Sequence, residues 1–269
     1  MNKLSLFDVR VDEITLNEVI NKVKQFIKKK SPHYLISLGS LTILLARKDK
    51  ELREIIKRAD LVLCDSVGVQ WGLKFLYDIK IEKISGVDLI PILCDVAVQN
   101  KYRLFFLGST KEVIKKAVEN VKRRYKGINI CGFSDGYFDI KKEDLIKKWI
   151  KKSKPDILLV GLGQPFQEKW IFKNLNYLKV PLCIGIGGSF DVLGGKVKRA
   201  PLFFQRIGFE WFFRLVQEPW RIKRVVKLLC FIGLIIKTKM LILKNFLYRR
   251  SNESKKFFIY FRICYRGTS

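Results

Sequence analysis

Short apolar runs alternate along this chain with longer stretches whose apolar positions return every three or four residues. Val19, Ile20, Val23, Phe26 and Ile27 share one helical face, in a segment that opens on the capping box Thr15-x-x-Glu18 and closes on lysines 28–30. Tyr34 to Ser37 reads as a short strand before a turn at Gly39. Ser40 is placed to cap a second helix through Ala46, and a third ends near Ala59. Leu61 to Cys64, Arg103 to Leu107, Ile128 to Phe133, Ile157 to Gly161 and a run from Leu182 read as buried strands. Helices fall between them at 69–77, after Asp88, after a second capping box Ser109-x-x-Glu112, at 143–152 and at 166–178. Strands alternating with helices of this length predict an α/β fold, a Rossmann-like parallel sheet with helices on both faces.

Domain organisation follows from changes of texture. The α/β core is expected over 1–199, in two halves with a soft boundary near 100. Beyond Pro201, Phe203, Phe204, Phe209, Trp211, Phe212, Phe213 and Trp220 interleave with arginines, and Pro219 suits the first turn of a new helix. Residues 200–248 therefore read as a basic, amphipathic helical appendage, and 249–269 as a basic, poorly ordered tail. Leu228 to Ile236 is an uncharged run of nine residues, far short of the roughly 20 that span a bilayer. Such a helix either lies in the plane of a membrane surface or packs on the core. A span from Leu228 to Tyr248 would have to carry Lys237, Lys239 and Lys244.

Charge sharpens this picture. The net charge is +28 over 269 residues. From Lys196 onward, 18 Lys and Arg stand against Glu210, Glu218 and Glu253, which is more than half of the excess. The appendage thus faces an anionic partner: nucleic acid, a membrane surface or a phosphorylated substrate. The six cysteines are scattered without a C-x-x-C pair, as expected of reduced thiols in a cytoplasmic protein. No apolar h-region opens the chain, so no secretory signal is expected. His33 is the only histidine, which removes Ser-His-Asp, Cys-His and histidine-rich metal chemistry.

The candidate chemistry gathers at strand ends. Leu182 to Pro201 breaks from a strand into Gly185, Gly187 and Gly188, passes Asp191, and ends in Lys196, Lys198 and Arg199. Glycines there let backbone N–H groups approach a phosphate, and the cations can hold it. Asp65 ends another strand, where it can stand over a ligand crevice or simply cap the helix that follows. A dinucleotide-binding reading fails on spacing, since Phe166 and Phe190 occupy the third glycine position of the two G-x-G motifs. A nucleic-acid or membrane-binding protein without catalysis is the other rival.

Several spaced blocks resemble one family. VGLGQPFQEKW (160–170), GIGGSFDVLGGKVKRAP (185–201) and GFEWFFRLVQEPWRIKR (208–224) are similar to blocks of the WecG/TagA/CpsF glycosyltransferases. So are FFLGS (105–109), GFSDGYF (132–138), CDSVGV (64–69) and KISGVDL (83–89). The likeness covers about residues 10–235. It implies an inverting transfer of an N-acetylhexosamine, typically N-acetylmannosamine, from a UDP-sugar to a polyprenyl-diphosphate-linked GlcNAc acceptor. It also implies peripheral binding at the cytoplasmic face of the membrane, in teichoic acid or related polysaccharide synthesis, with neither nucleic acid nor an organic cofactor. Homo-oligomerisation stays open. Asp65 matches the family's general base. The donor and acceptor groups expected by position are Ser37, Lys83, Gly163, Gln167, Gly187, Gly188, Asp191, Arg214, Arg221 and Arg224, the arginines reaching the donor diphosphate. Three departures surround the expected sugar pocket: Ser37-Leu38-Gly39 replaces T-x-N, Asp65-Ser66 replaces D-G, and Lys83 replaces arginine. They leave the donor sugar open. No D-x-D motif occurs, so no metal is expected and arginines are left to neutralise the diphosphate.

Overall fold

The computed structural model describes residues 2–206 and 208–265. A hairpin of β1 (Asn2–Leu6) and β2 (Val9–Glu13) leads into α1 (Leu16–Lys29), β3 (His33–Leu38), α2 (Ser40–Ala46), α3 (Lys50–Arg58) and β4 (Leu61–Cys64). Helices α4 (Val67–Tyr77) and α5 (Gly86–Asn100) cross to β5 (Arg103–Gly108), followed by α6 (Lys111–Arg124), β6 (Asn129–Ser134) and α7 (Ile140–Ser153). The core closes with β7 (Ile157–Gly161), α8 (Phe166–Leu178), β8 (Leu182–Gly185) and the short α9 (Ser189–Leu193). The remainder is α10 (Leu202–Arg206), α11 (Glu210–Gln217), a 3₁₀ turn at Pro219–Arg221, and α12 (Ile222–Tyr265). Residues 266–269, the end of the expected tail, lie outside the described residues.

Six strands form one sheet in the order β4-β3-β8-β7-β5-β6, and every pairing is parallel. Apart from the edge strand β6, the strands are buried on both faces, which is why they read as continuous apolar runs. Leu35, Leu63, Phe106, Leu159 and Ile184 point to the side of α1, α5 and α6. Their neighbours Ile36, Val62, Phe105, Leu158 and Cys183 point to the side of α2, α3, α4 and α8. The last strand, β8, lies between β3 and β7, so strands from both halves of the sequence share one sheet.

Local chemistry sets the element ends. The Thr15–Glu18 capping box forms as expected. The other two caps move. Helix α2 starts from Gly39 without a side-chain cap, because β3 runs on to Leu38 and leaves Ser40 inside the first turn. Helix α6 is capped by Thr110, which accepts from the N–H of Val113; Ser109 takes a left-handed φ of 56° and points elsewhere. The hairpin of β1 and β2 carries no sequence sign, because its two turn residues Phe7 and Asp8 have φ of 56° and 62° where such turns usually use Asn-Gly. It is tied to β4 by the buried Asp12. That carboxylate accepts from the N–H of Val62 at 2.9 Å and makes a two-point ion pair with Arg10. His33 is structural. It bonds Asp60 at 2.8 Å and stacks on Phe26, at the amino-terminal end of its strand.

The appendage is not merely attached to the core. Phe231 and Ile235 of α12 are fully buried and belong to the same cluster as Val69 and Leu73 of α4 and Ile43 of α2. A Cβ on Gly72 would come within 3.0 Å of the Ile235 side chain, so the two helices meet at close range. A core ending near Arg199 would therefore leave these apolar surfaces of α2 and α4 uncovered. Among the described residues no helix is long and apolar enough to cross a membrane. Phe231→Ala is expected to cost about 3–5 kcal/mol, the usual cost of emptying a buried phenylalanine site. Urea unfolding of the full chain checks this, and a loss below about 1 kcal/mol would show that the helix is only loosely docked.

Candidate active site

The carboxyl ends of β3, β4, β5, β7 and β8 lie along one edge of the parallel sheet, the usual place of the ligand cleft in such sheets, and glycines crowd there. Gly161 ends β7 against the turn after β8: a Cβ there would lie 2.8 Å from the carbonyl oxygen of Gly187 and from the Phe190 ring. Only glycine permits that approach. Gly187 has φ of 55° with nothing within 4 Å of its Cβ direction, so it needs glycine for its backbone and presents bare peptide to the opening. Gly163, at φ 82°, and Gly188 edge the same opening. Asp191 lies in the short helix beyond and accepts from the Ser109 hydroxyl at 2.8 Å, which joins the β8 turn to the β5 turn. The left-handed Ser109 is what aims that hydroxyl.

Asp65 stands where β4 stops. It is not the cap of α4; Ser66 is, accepting from the N–H of Val69. Ser66 also receives the N–H of Ser40 at 3.1 Å, so the serine that replaces the family glycine fastens the turn. Asp65 is left to face the cleft, with Oδ1 accepting from the N–H of Gly86 at 3.1 Å. Gly86 in turn lies against the Ile186 carbonyl, where a Cβ would stand at 3.4 Å, and this brings Asp65 beside the glycine turn. Burial raises the Asp65 carboxyl to about 6; the Gly86 N–H and Lys83 pull it down, while Glu210 and Asp88 add to the rise. Lys83 is thus a neighbour of Asp65, and Asp88 is paired with Arg199.

Other expected site residues lie differently. Gln167 is fully buried beneath the cleft floor, with Oε1 taking the N–H of Gly187 at 3.0 Å and Nε2 donating to Glu168 at 2.8 Å. Both ends of its amide are used inside the protein, so it shapes the turn from below and does not reach a ligand directly. Ser37 is also buried, and its hydroxyl has no hydrogen-bond partner among the described residues. Its carbonyl accepts from Gln164, whose own oxygen takes the Thr42 hydroxyl at 2.7 Å.

Arg214, Arg221 and Arg224 come together with one another. Arg221 pairs with Glu218 at 2.7 Å, and Arg224 is lowered first by burial and then by Arg221 and Arg214. The appendage residue whose charge reaches Asp65 is Glu210, one turn before Arg214. Sequence reasoning missed Glu210, Asp88 and Glu168. The last is a buried carboxyl that burial raises to about 7, and its place in the Q-E-K-W block was its only sign.

Residues 4–245 match the model of the glycosyl transferase WecG/TagA/CpsF family. The chain belongs to this family. Among its members, a protein of Bacillus subtilis strain 168 is 35% identical over 205 residues, covering 76% of this chain and 79% of its own. One from Bacillus spizizenii is 38% identical over 192 residues, 71% and 74% of the two chains. One from Staphylococcus aureus strain MW2 is 30% identical over 244 residues, 90% and 95%. Each bears the name N-acetylglucosaminyldiphosphoundecaprenol N-acetyl-beta-D-mannosaminyltransferase. The chain is accordingly a WecG/TagA/CpsF glycosyltransferase with an α/β sheet and a C-terminal helix.

The raised Asp65 carboxyl makes stability depend on pH. Its native carboxyl keeps a proton up to about pH 6, whereas the ordinary value is 3.8, so the native state loses stability as pH rises through that window. Asp65→Asn is expected to raise the urea midpoint at pH 8 more than at pH 4, while turnover falls by about 10²–10⁴. With Asp65 proposed as the base, wild-type transfer should fall away below about pH 6. A folded Asp65→Asn variant that turns over normally would remove Asp65 from the chemistry.

Proposed function

We propose that the chain transfers N-acetylmannosamine from a UDP-sugar to a polyprenyl-diphosphate-linked GlcNAc, with inversion, in teichoic acid or related polysaccharide synthesis. The observation that carries the reading is Asp65, held by the Gly86 N–H at the carboxyl end of β4, beside the glycine turn, in a chain of this family. A carboxylate raised toward neutral pH is a competent base and still ionised at pH 7. In the step, the acceptor hydroxyl oxygen bonds to the anomeric carbon as the bond from that carbon to the donor phosphate breaks. The hydroxyl proton passes to Asp65, and UDP leaves with the electron pair. Attack opposite the leaving group inverts the centre.

The departing diphosphate needs counter-charge, and cations supply it in a cleft sheltered from water. The Gly188 peptide N–H suits a phosphate, that of Gly187 being held by Gln167. Arg214, Arg221 and Arg224 repel one another where they stand, which suits them to an anion. The donor's acetamido sugar is the part that Lys83 affects. Lysine offers a point charge in place of the fork of arginine, so it discriminates hydroxyl and acetamido geometry less sharply. Peripheral contact with the cytoplasmic face of the membrane fits a lipid-linked acceptor and the basic appendage.

The reading is tested with UDP-N-acetylmannosamine, UDP-N-acetylglucosamine and UDP-glucose against GlcNAc-diphosphate on a short alkyl chain. Disaccharide is expected from the first donor at least about ten-fold faster than from the others, a margin of roughly 1.4 kcal/mol. A faster reaction with another donor would transfer the same chemistry to that sugar. Transfer is also expected to persist in EDTA, since cationic side chains take the place of a D-x-D metal; loss restored by Mg²⁺ or Mn²⁺ would overturn that assignment.

A further inference from the structure

Helix α4 begins two residues after Asp65, and it carries a stripe that the core does not use. Val69, Gly72, Leu73 and Leu76 face inward. On the opposite side Val67, Trp71 and Phe75, spaced four apart, are 37%, 37% and 38% exposed. Trp71 and Phe75 stack at 5.0 Å, so the stripe is an ordered aromatic surface. It runs about 12 Å along the helix at the α-helical rise.

The appendage borders the stripe at both ends. At the start of α4, a Cβ on Gly208 would touch the Val67 side chain at 3.0 Å, and the adjoining Phe209 is 47% exposed. At its end, Lys239 of α12 lies over the Phe75 ring at 5.6 Å, and Met240 beside it is 66% exposed. The apolar surface therefore runs from the appendage across a core helix and back, with Lys239 at its border. Exposed aromatics, tryptophan among them, flanked by lysine are the composition of a surface that sits at lipid headgroup depth. A protein partner would need acidic complementarity to this rim, whereas an anionic bilayer offers it everywhere.

We propose that the Val67–Trp71–Phe75 stripe of α4 is a bilayer-docking surface, so that the catalytic core itself, and not the appendage alone, rests on the membrane. The inference rests on the peripheral-membrane reading above. It places Asp65, at the head of the same helix, next to the headgroup layer where a lipid diphosphate is anchored. The acceptor sugar then meets the base without leaving the surface.

The test uses the full chain and vesicles of phosphatidylglycerol and phosphatidylcholine in equal parts. W71S/F75S is expected to lower vesicle partitioning by about ten-fold or more, the scale for withdrawing two half-buried aromatics from lipid. Its transfer to a short-chain, water-soluble acceptor should match wild type. A folded double variant that partitions normally overturns the proposal. Because serine at both sites could perturb α4, W71F gives an independent measurement. Brominated lipids should quench the tryptophan emission of W71F less than that of wild type, and equal quenching overturns the proposal. Wild type that transfers sugar but binds no vesicle overturns the membrane reading and this inference together, leaving the transferase reading intact. A wild-type dimer that W71S/F75S dissolves without changing vesicle partitioning assigns the stripe to a second copy and overturns the bilayer assignment.

Discussion

Everything at the cleft depends on β8 lying between β3 and β7. Residues Leu182–Gly185 hydrogen-bond to His33–Ile36 on one side and to Ile157–Val160 on the other. Without that insertion the Asp65 side and the Gly161 side would belong to separate sheets. With it, peptide groups from distant parts of the chain come within contact of one another. The glycines at this edge follow from that crowding: at Gly161 a methyl group would collide with the Gly187 carbonyl.

Much of this arrangement was legible in the residues, and the exceptions share a cause. Buried parallel strands announce themselves because both faces are apolar, and α8 matched its expected limits, 166–178. The hairpin was silent because Phe7 and Asp8 take left-handed conformations without the residues that usually signal them. The α6 cap slipped by one residue because serine and threonine stand side by side and only one can face the helix; Ser109 was drawn off by Asp191. Asp65 was readable from its place at a strand end, but its choice between cap and cleft was decided by Ser66, which took the cap. Gln167 was expected among the donor and acceptor groups, but its full burial beneath Gly187 was not legible, since burial is set by packing and no local pattern records it. The appendage was read from its charge, which reports the exposed face of α12 and says nothing of Phe231 and Ile235 beneath.

Two buried carboxyls, Asp65 and Glu168, show how the site and the fold oppose each other. Each is raised because burial disfavours its charge. A more stable protein would replace both with neutral groups. Glu168 is retained where it accepts from Gln167, and through it the chain gains a fixed Gly187 turn. The cleft is thus built over a floor that is costly to maintain. That agrees with the close docking of α12, which adds apolar burial on the face of the sheet that α8 also covers.

The Asp12 tether has a consequence for how the protein behaves when crowded. Strand β4 ends the sheet, and an unclaimed strand edge recruits other strands. Here the Val62 N–H is taken by Asp12 and the Cys64 carbonyl by the N–H of Ile84, so one outward group of each residue is occupied. Copies at high local concentration bring such edges together often. A carboxylate and a crossing loop at this edge oppose strand-by-strand aggregation, and Arg10 beside them adds a charge that a foreign strand would have to bury.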